Sequence, residues 1–325
     1  MAERPPQPPG QPPALQPPAS LPTPGRLPPA SQSPAGQRTG PPRIGAHVPV
    51  ASGFAAGLRY AADIGAEAIQ VFVSNPRSWA LPAGDPAQQA RAADTIRERL
   101  AEAALPVFVH TPYLINVGSA DPVIRDRSVA SIRHSLHRGG AIGARGVVVH
   151  TGSATGGDRD KGMLFARDSL LPVLDSIPAD GPDLLLEPMA GQGQFLCTSL
   201  ADLGPYLEML GWHPRAGVCL DTCHAFSAGA DLAAPGGAAA ALTELAGVLG
   251  GAGRLRLVHA NDSKDPCGSR RDRHENIGAG QIGKRPFGTL LRHPAAAGVP
   301  FVIETPGPRA AHAADIATLT RLRAR

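Results

Sequence analysis

The sequence predicts a closed (β/α)₈ barrel, or TIM barrel, that is preceded by a disordered, proline-rich N-terminal tail. Eight short apolar runs recur from Arg43 onward, stretches rich in helix-forming residues lie between them, and successive runs begin roughly 25 to 45 residues apart. Strands that alternate with helices imply a parallel sheet, and eight such units close into a barrel. An open doubly wound sheet is the alternative, but no G-x-G-x-x-G motif follows the first run, which weakens its dinucleotide-binding version.

The tail comprises residues 1–42, which hold 15 of the 35 prolines and otherwise consist mostly of Gly, Gln, Ala and Ser. Such a segment cannot bury enough apolar area to offset the entropy lost on ordering. We therefore expect disorder with local polyproline II structure, and a single barrel domain over residues 43–325. A tether or an artefact of the assigned start site is the favoured explanation of the tail, and binding to an unidentified proline-recognising partner is the alternative.

Each predicted strand is a continuous apolar run, which is typical of strands that are buried on both faces. The runs are residues 44–48, 68–73, 106–110, 146–150, 184–187, 217–221, 255–259 and 301–304.

Two of the intervening segments show clear helix signals. Residues 85–105 are rich in Ala, Arg, Glu and Leu, and Asp85 and Pro86 suit a cap and a first turn. Residues 198–210 open on Thr and Ser, but Gly204-Pro205 is expected to delay the start of that helix.

The composition is that of a globular protein with a sizeable core, because 42% of the residues are hydrophobic. The net charge is only +4, so a nucleic-acid partner has to be argued from local groups. The four cysteines form no C-x-x-C pair, and neither a membrane-length apolar run nor a signal-peptide core is present. We expect a cytoplasmic monomer with reduced thiols and no membrane segment.

Every predicted strand ends on, or is closely followed by, a polar side chain. In a parallel barrel these ends meet at one face, where active sites lie. One such residue is ordinarily a helix cap or a hydrogen-bonded filler, but many buried imidazoles and carboxylates together need a cation. The strand-end residues are His47, Asn75, His110, His150, Glu187, Asp221, His259 and Glu304.

Two loop motifs, D-T-C-H at 221–224 and D-R-H at 272–274, extend this set. Nine residues exceed what one zinc ion binds, and with one bridging carboxylate they suit three ions. Imidazole and carboxylate ligands without thiolate are typical of catalytic zinc, with manganese as an alternative, and the resulting positive site favours a phosphate. The nine predicted ligands are His110, His150, Glu187, Asp221, His224, His259, Asp272, His274 and Glu304.

Long motifs in the chain resemble the endonuclease IV family of apurinic/apyrimidinic (AP) endonucleases. They are LLLEPMAGQG (184–193), GVCLDTCHAFSAGADL (217–232) and VHANDSKDPCGSRRDRHENIGAGQIG (258–283), together with IGAHVPVASG (44–53) and HTPYLINVGS (110–119). The resemblance covers roughly residues 43–323, and it implies a TIM barrel with three Zn²⁺ ions per chain, Mn²⁺ being an alternative at one or more sites. The implied activity is hydrolysis of double-stranded DNA on the 5′ side of an abasic site, which leaves a 3′-hydroxyl, by attack of a metal-bridged hydroxide. The implied location is the cytoplasm, at the nucleoid while the enzyme acts on DNA.

The resemblance also implies a role for each ligand. His110, His150 and Glu187 correspond to the first zinc set, and Glu187 is the bridging, catalytic residue. Glu187 with Asp221, His259 and Glu304 corresponds to the second set. The third set is His224, Asp272 and His274.

The same resemblance assigns DNA contacts to Arg77, Tyr113 and Leu114, which would fill the gap left by the missing base while the abasic nucleotide is flipped out. Lys264, Arg270, Arg271 and Arg273 are candidate phosphate contacts. The chain departs from the family core in its proline-rich tail and in Pro76 and Ser78 of the SNPRSW loop, so rate or substrate preference is expected to differ.

Two other functions are compatible with such a barrel. A metal-dependent sugar isomerase or epimerase uses one or two ions, which would leave His224, Asp272 and His274 idle. A non-catalytic protein that docks on damaged DNA would need none of the nine ligands.

Overall fold

The computed structural model describes residues 40–81 and 86–324. Eight parallel strands form a closed barrel in the order β1-β10-β7-β6-β5-β4-β3-β2, and a short antiparallel pair, β8 and β9, lies apart from it. The predicted barrel is thereby confirmed, and the open doubly wound alternative is wrong. The strands are β1 (Ile44–His47), β2 (Ile69–Phe72), β3 (Val107–His110), β4 (Gly146–His150), β5 (Asp183–Glu187), β6 (Ala216–Asp221), β7 (Leu255–His259), β8 (Asp262–Ser263), β9 (His274–Glu275) and β10 (Phe301–Ile303).

Helices connect the strands and surround the barrel. Several begin at capped ends: Pro122 follows the cap Asp121, whose carboxylate accepts the backbone N–H of Val123, and Asp158 caps the next long helix. The helices are α1 (Phe54–Asp63), α2 (Pro86–Glu102), α3 (Pro122–Ala141), α4 (Arg159–Leu174), α5 (Leu203–Met209), α6 (Thr222–Ala228), α7 (Gly237–Val248), α8 (Lys284–Arg292) and α9 (Arg309–Arg323).

The two helices expected from the sequence are present with shifted ends. α5 begins at Leu203 rather than Thr198, because Gly204 and Pro205 occupy its first turn, where a missing N–H costs nothing. α2 ends at Glu102 rather than Leu105, and Ala104 adopts a φ of 48°, which a helix cannot continue through. The expected cap Asp85 lies outside the described residues.

The barrel interior is apolar below the carboxyl ends of its strands. Seven fully or almost fully buried residues form one interior cluster: Ala68, Phe108, Val148, Leu185, Cys219, Leu257 and Val302. On β1 the corresponding interior position is Gly45, where a Cβ atom would lie only 1.8 Å from the carbonyl oxygen of Ala68. This apolar layer confines buried charge to the next layer of residues along the strands.

The start of the described chain already contacts the barrel. The carbonyl oxygen of Gly40 accepts a hydrogen bond from the N–H of Gly298 at 3.0 Å. The carbonyl oxygen of Pro42 accepts one from the Arg323 guanidinium at 2.7 Å. The first 39 residues of the predicted tail lie outside the described residues. Within residues 40–81 and 86–324, no helix is long and apolar enough to span a membrane.

Candidate metal centre

Six of the predicted ligands come from one layer at the carboxyl ends of the strands. Each lies two residues after a member of the interior apolar cluster: His110 follows Phe108, and Asp221 follows Cys219. Because side chains alternate along a strand, both members of each pair point into the barrel. The register of the parallel strands places these residues at the same height in the barrel, with His150 paired to Glu187 and Asp221 paired to His259.

The other three predicted ligands come from α6 and from the loop that leads into β9. Asp221 ends β6 and caps α6, since its Oδ1 accepts the backbone N–H of His224 at 2.9 Å. This cap turns the chain so that His224 faces back over the barrel end. His274 lies in β9, which pairs with β8 through Ser263, and this pairing carries Asp272 to the same end.

Glu187 lies at the centre of the ligand cluster with 1% of its surface exposed. Its carboxylate oxygens lie 3.2 Å from His110 Nε2 and 3.5 Å from His150 Nε2. They also lie 2.9 Å from His259 Nδ1 and 3.5 Å from His224 Nδ1. One carboxylate therefore lies beside histidines of both the first and the second predicted zinc sets, which is the position that a ligand bridging those two sets requires.

Further contacts link the remaining ligands into the same cluster. His259 Nδ1 lies 3.3 Å from Glu304 and 3.8 Å from Asp221. Asp272 lies 3.2 Å from His224 Nε2 and 3.0 Å from His274 Nε2. All nine predicted ligands are thus brought together at one end of the barrel.

Several of the histidine rings have one nitrogen that is hydrogen-bonded outside the cluster and another that is directed into it. The Nδ1 atoms of His110 and His224 donate to the carbonyl oxygens of Thr111 and Pro188, at 2.7 and 3.0 Å. The Nε2 atoms of His224 and His274 are buried and, among the described residues, have no hydrogen-bond partner in suitable alignment. A histidine that ligates a metal ordinarily has this arrangement, with its second nitrogen donating to a fixed acceptor.

The electrostatics of the cluster also favour cations. Burial acts to raise the pKa of Glu187, but the neighbouring histidines outweigh it and hold that pKa well below its usual range. Burial lowers the pKa of His150 to about 4, so its ring is a neutral ligand at pH 7. Against burial, Asp221 and Asp272 raise the pKa of His274 to about 9. The carboxylates therefore attract positive charge even to a group that burial would neutralise.

These residues fit divalent metal ions in composition and spacing. Candidate ligand atoms lie within 4.8 Å of one another in the sets His110-His150-Glu187, Glu187-Asp221-His259-Glu304 and Asp221-His224-His274. Two cysteines, which the sequence argument did not include, also lie within this range: Cys219 beside Glu187 and His259, and Cys223 beside Asp272 and His274. Burial raises the pKa of both thiols to about 12, which disfavours thiolate ligation.

Sequence reasoning placed one polar residue wrongly and missed two polar residues at the centre. Asn75, expected at the end of the second strand, is exposed in the following loop, where its side chain accepts the N–H of Arg77. The polar residue that β2 contributes is Gln70, which is fully buried and contacts His47, His259 and Glu304. Asn261 donates to Asp221 at 2.7 Å and accepts the N–H of Glu304 at 2.8 Å. The six strand ligands each lie two residues after an apolar residue that points into the barrel. Gln70 lies two residues after Ala68 in the same way, and this spacing would have identified it.

The predicted DNA-contacting residues lie on the rim of the same end. Tyr113 is 53% exposed and its ring centroid lies 5.9 Å from that of His110. Leu114, on the same loop as Tyr113, is 38% exposed. Arg77 is exposed on a neighbouring loop, and the two loops are joined by a hydrogen bond from Tyr113 N–H to the Pro76 carbonyl oxygen. Tyr113 and Leu114 line a cavity of about 660 Å³ that His150 and Asp272 also line. Exposed apolar groups therefore border a cavity that opens on the ligand cluster.

The basic segment at 264–273 is partly engaged within its own loop. The Arg273 guanidinium donates to the buried carboxylate of Asp265 at 2.6 Å, and Arg271 lies 3.7 Å from the same carboxylate. Lys264 lies 4.0 Å from Glu275. Arg273 thus helps to hold the loop that carries Asp272 and His274, and phosphate contact by this segment stays a prediction.

The fold and this centre define a class of proteins. The xylose isomerase-like TIM barrel family matches residues 58–322, and the chain is such a barrel with a metal-binding site at its mouth. Probable endonuclease 4 of Streptomyces coelicolor is 56% identical over 283 residues, which cover 86% of this chain and 95% of that protein. The chain belongs to the endonuclease IV family, and so to the metal-binding endonucleases of DNA repair.

Solved structures agree with this assignment. Endonuclease IV from Thermus thermophilus superposes with a TM-score of 0.74 at 31% identity, covering 86% of this chain and 98% of that one. A D-tagatose 3-epimerase-like protein superposes with a TM-score of 0.66 at 17% identity, covering 86% and 96%. At that identity the second match shows the fold alone, so it lends the sugar-epimerase alternative no support from the site.

Proposed function

We propose that this chain is a zinc-dependent AP endonuclease that hydrolyses the phosphodiester bond 5′ to abasic sites in double-stranded DNA and leaves a 3′-hydroxyl. The observation that carries the proposal is the unbroken cluster of nine imidazole and carboxylate side chains centred on Glu187. A cluster of that size exceeds the needs of one ion. Its position beside exposed rim residues supports a polymeric substrate.

Three zinc ions, or Mn²⁺ at one or more sites, would be held by three sets of ligands. His110, His150 and Glu187 would hold the first, and His224, Asp272 and His274 the third. The second would be held by Glu187, Asp221, His259 and Glu304. When bound, zinc lowers the pKa of water and neutralises the charge on a phosphate that is being cleaved.

The chain's own residues would select and orient the substrate. Tyr113 and Leu114 present an aromatic and an aliphatic side chain that can enter the duplex at the missing base. Arg77, on the neighbouring loop, can help to fill the same gap. The cavity of about 660 Å³ behind them has room for the extruded abasic nucleotide. An abasic nucleotide has no base to unpair, so it costs the least to extrude, and this difference supplies selectivity.

The sugar isomerase or epimerase reaction is the alternative. It leaves His224, Asp272 and His274 without a role, although Asp272 lies within 3.2 Å of a ring nitrogen of each histidine. We further propose that the enzyme acts as a cytoplasmic monomer and that the proline-rich tail is a tether or binds a separate partner.

Incision of a defined abasic duplex tests the function. We expect cleavage 5′ to the lesion, with a 3′-hydroxyl that a polymerase can extend, and we expect it to stop with a chelator and return with zinc. A matched duplex without the lesion is the control. Bound zinc near three per chain supports the nuclease, whereas a value near one with no incision supports the epimerase. Binding without incision in the presence of zinc would indicate a non-catalytic lesion-binding protein.

A further inference from the structure

Gln70 is a buried amide in a strand that is otherwise built from apolar residues. It lies between Ile69 and Val71 in β2, and none of its surface is exposed. A buried amide is costly unless its donors and acceptor are all matched, so its partners indicate what it does.

The partners of Gln70 are two of the proposed ligands and one further histidine. Its Nε2 donates to Glu304 Oε1 at 2.6 Å and lies 3.0 Å from His47 Nδ1. Its Oε1 lies 2.9 Å from His259 Nε2. The amide bridges a carboxylate that follows β10 and an imidazole from β7 across the barrel interior.

The orientation of this amide is fixed by charge. A flipped amide would place its oxygen against the Glu304 carboxylate, which is repulsive, so the NH₂ group faces Glu304. The amide oxygen that then faces His259 can only accept a hydrogen bond. In the neutral ring that a metal ion binds, His259 must therefore carry its proton on Nε2, which leaves the lone pair on Nδ1.

That tautomer directs His259 into the ligand cluster. Nδ1 lies 2.9 Å from Glu187 Oε1 and 3.3 Å from Glu304 Oε2, whereas Nε2 faces Gln70 on the opposite side of the ring. The same amide also restrains the Glu304 oxygen that it binds. One side chain thus sets the ligating atom of His259 and the position of Glu304.

We propose that Gln70 is a positioning residue for the second ion of the centre, acting through His259 and Glu304 rather than on the substrate. This inference rests on the proposed three-zinc function. Outer hydrogen-bond partners of this kind typically change metal affinity by about 10- to 100-fold. The expected consequence of losing Gln70 is weaker binding of one ion out of three, with the chemistry itself unchanged.

Gln70→Met tests the proposal, because methionine has a similar length but neither the donor nor the acceptor. Gln89→Met is the matched control, since Gln89 lies on α2 and its side chain accepts from Arg138, away from the cluster. We expect Gln70→Met to retain two zinc ions per chain after dialysis against a chelator, and to need about 10- to 100-fold more free zinc for half-maximal incision. At saturating zinc its kcat should return to the wild-type value, and Gln89→Met should behave as wild type throughout.

Wild-type zinc affinity in Gln70→Met would overturn the proposal while leaving the nuclease function intact. A wild-type protein that binds no zinc and cuts no abasic duplex would instead remove the function on which the proposal rests. Should Gln70→Met fail to fold, ¹⁵N spectra of the histidine rings in the zinc-loaded wild-type protein test the same point. We expect a protonated Nε2 and a metal-bound Nδ1 for His259, and ligation through Nε2 would refute the assignment.

Discussion

Glu187→Gln is the substitution to which the proposed centre should be most sensitive. The Glu187 carboxylate is buried, and four imidazole nitrogens lie within 3.5 Å of it. Glutamine keeps the size of the side chain and removes its charge. Two unit charges about 4 Å apart interact by about 4 kcal/mol at an effective dielectric constant of about 20. Because a bridging carboxylate would also fix two ions relative to the reacting phosphate, we assign a loss of that size to the transition state. About 1.4 kcal/mol corresponds to a factor of about 10 in rate, so the expected fall in kcat is about 10³-fold.

The assay is single-turnover incision of an abasic duplex at saturating zinc, together with metal content and a thermal melt. Glu208→Gln on the exposed face of α5 is the control, because it makes the same chemical change away from the centre. We expect the control to cut at the wild-type rate and Glu187→Gln to stay folded with its rate lowered by about 10³-fold or more. Incision by Glu187→Gln within tenfold of wild type would refute the bridging role.

The remaining predictions concern the rim, the third ligand set and the loop that carries it. Tyr113→Ala should raise KM for an abasic duplex by about 10-fold or more, because stacking is worth roughly 1–3 kcal/mol per base. The melting temperature of the protein should not change. An unaltered KM would contradict the insertion of Tyr113 at the missing base. Neighbouring carboxylates raise the pKa of His274 to about 9 and that of His224 above its usual range, although burial acts to lower both. Zinc must therefore displace two protons from the third ligand set at pH 7. The apparent zinc affinity of that set, measured by chelator competition, should therefore rise by up to about 100-fold per pH unit between about pH 6 and 8, and a flat profile would exclude the proton release. The fully buried carboxylate of Asp262 accepts four backbone N–H groups of residues 278–283, and an amide cannot accept them all. Asp262→Asn should therefore lower the free energy of unfolding by about 3 kcal/mol and weaken one zinc site. An unchanged denaturant midpoint would count against this.

The strands were predictable because a strand that is buried on both faces must be apolar throughout. All eight runs became barrel strands, and each strand end coincides with the predicted one or differs from it by one residue, such as 69–72 for the predicted 68–73. Helix ends were less predictable where the first turn depends on a cap or a proline, as at Leu203 in α5. These features depend on side chains that are neighbours along the chain, which is why a sequence displays them.

The sequence by itself determined that ionisable residues follow the strands and that a parallel barrel gathers strand ends at one face. Only the tertiary structure decided which of them meet, because closure of the barrel pairs β1 with β10 and brings Gln70 to within hydrogen-bonding distance of Glu304, 234 positions away. It excluded Asn75 from the centre and engaged Arg273 with Asp265. It also placed the acceptors that face the rings of His224 and His259, since the Pro188 carbonyl and the Gln70 amide come from distant parts of the chain.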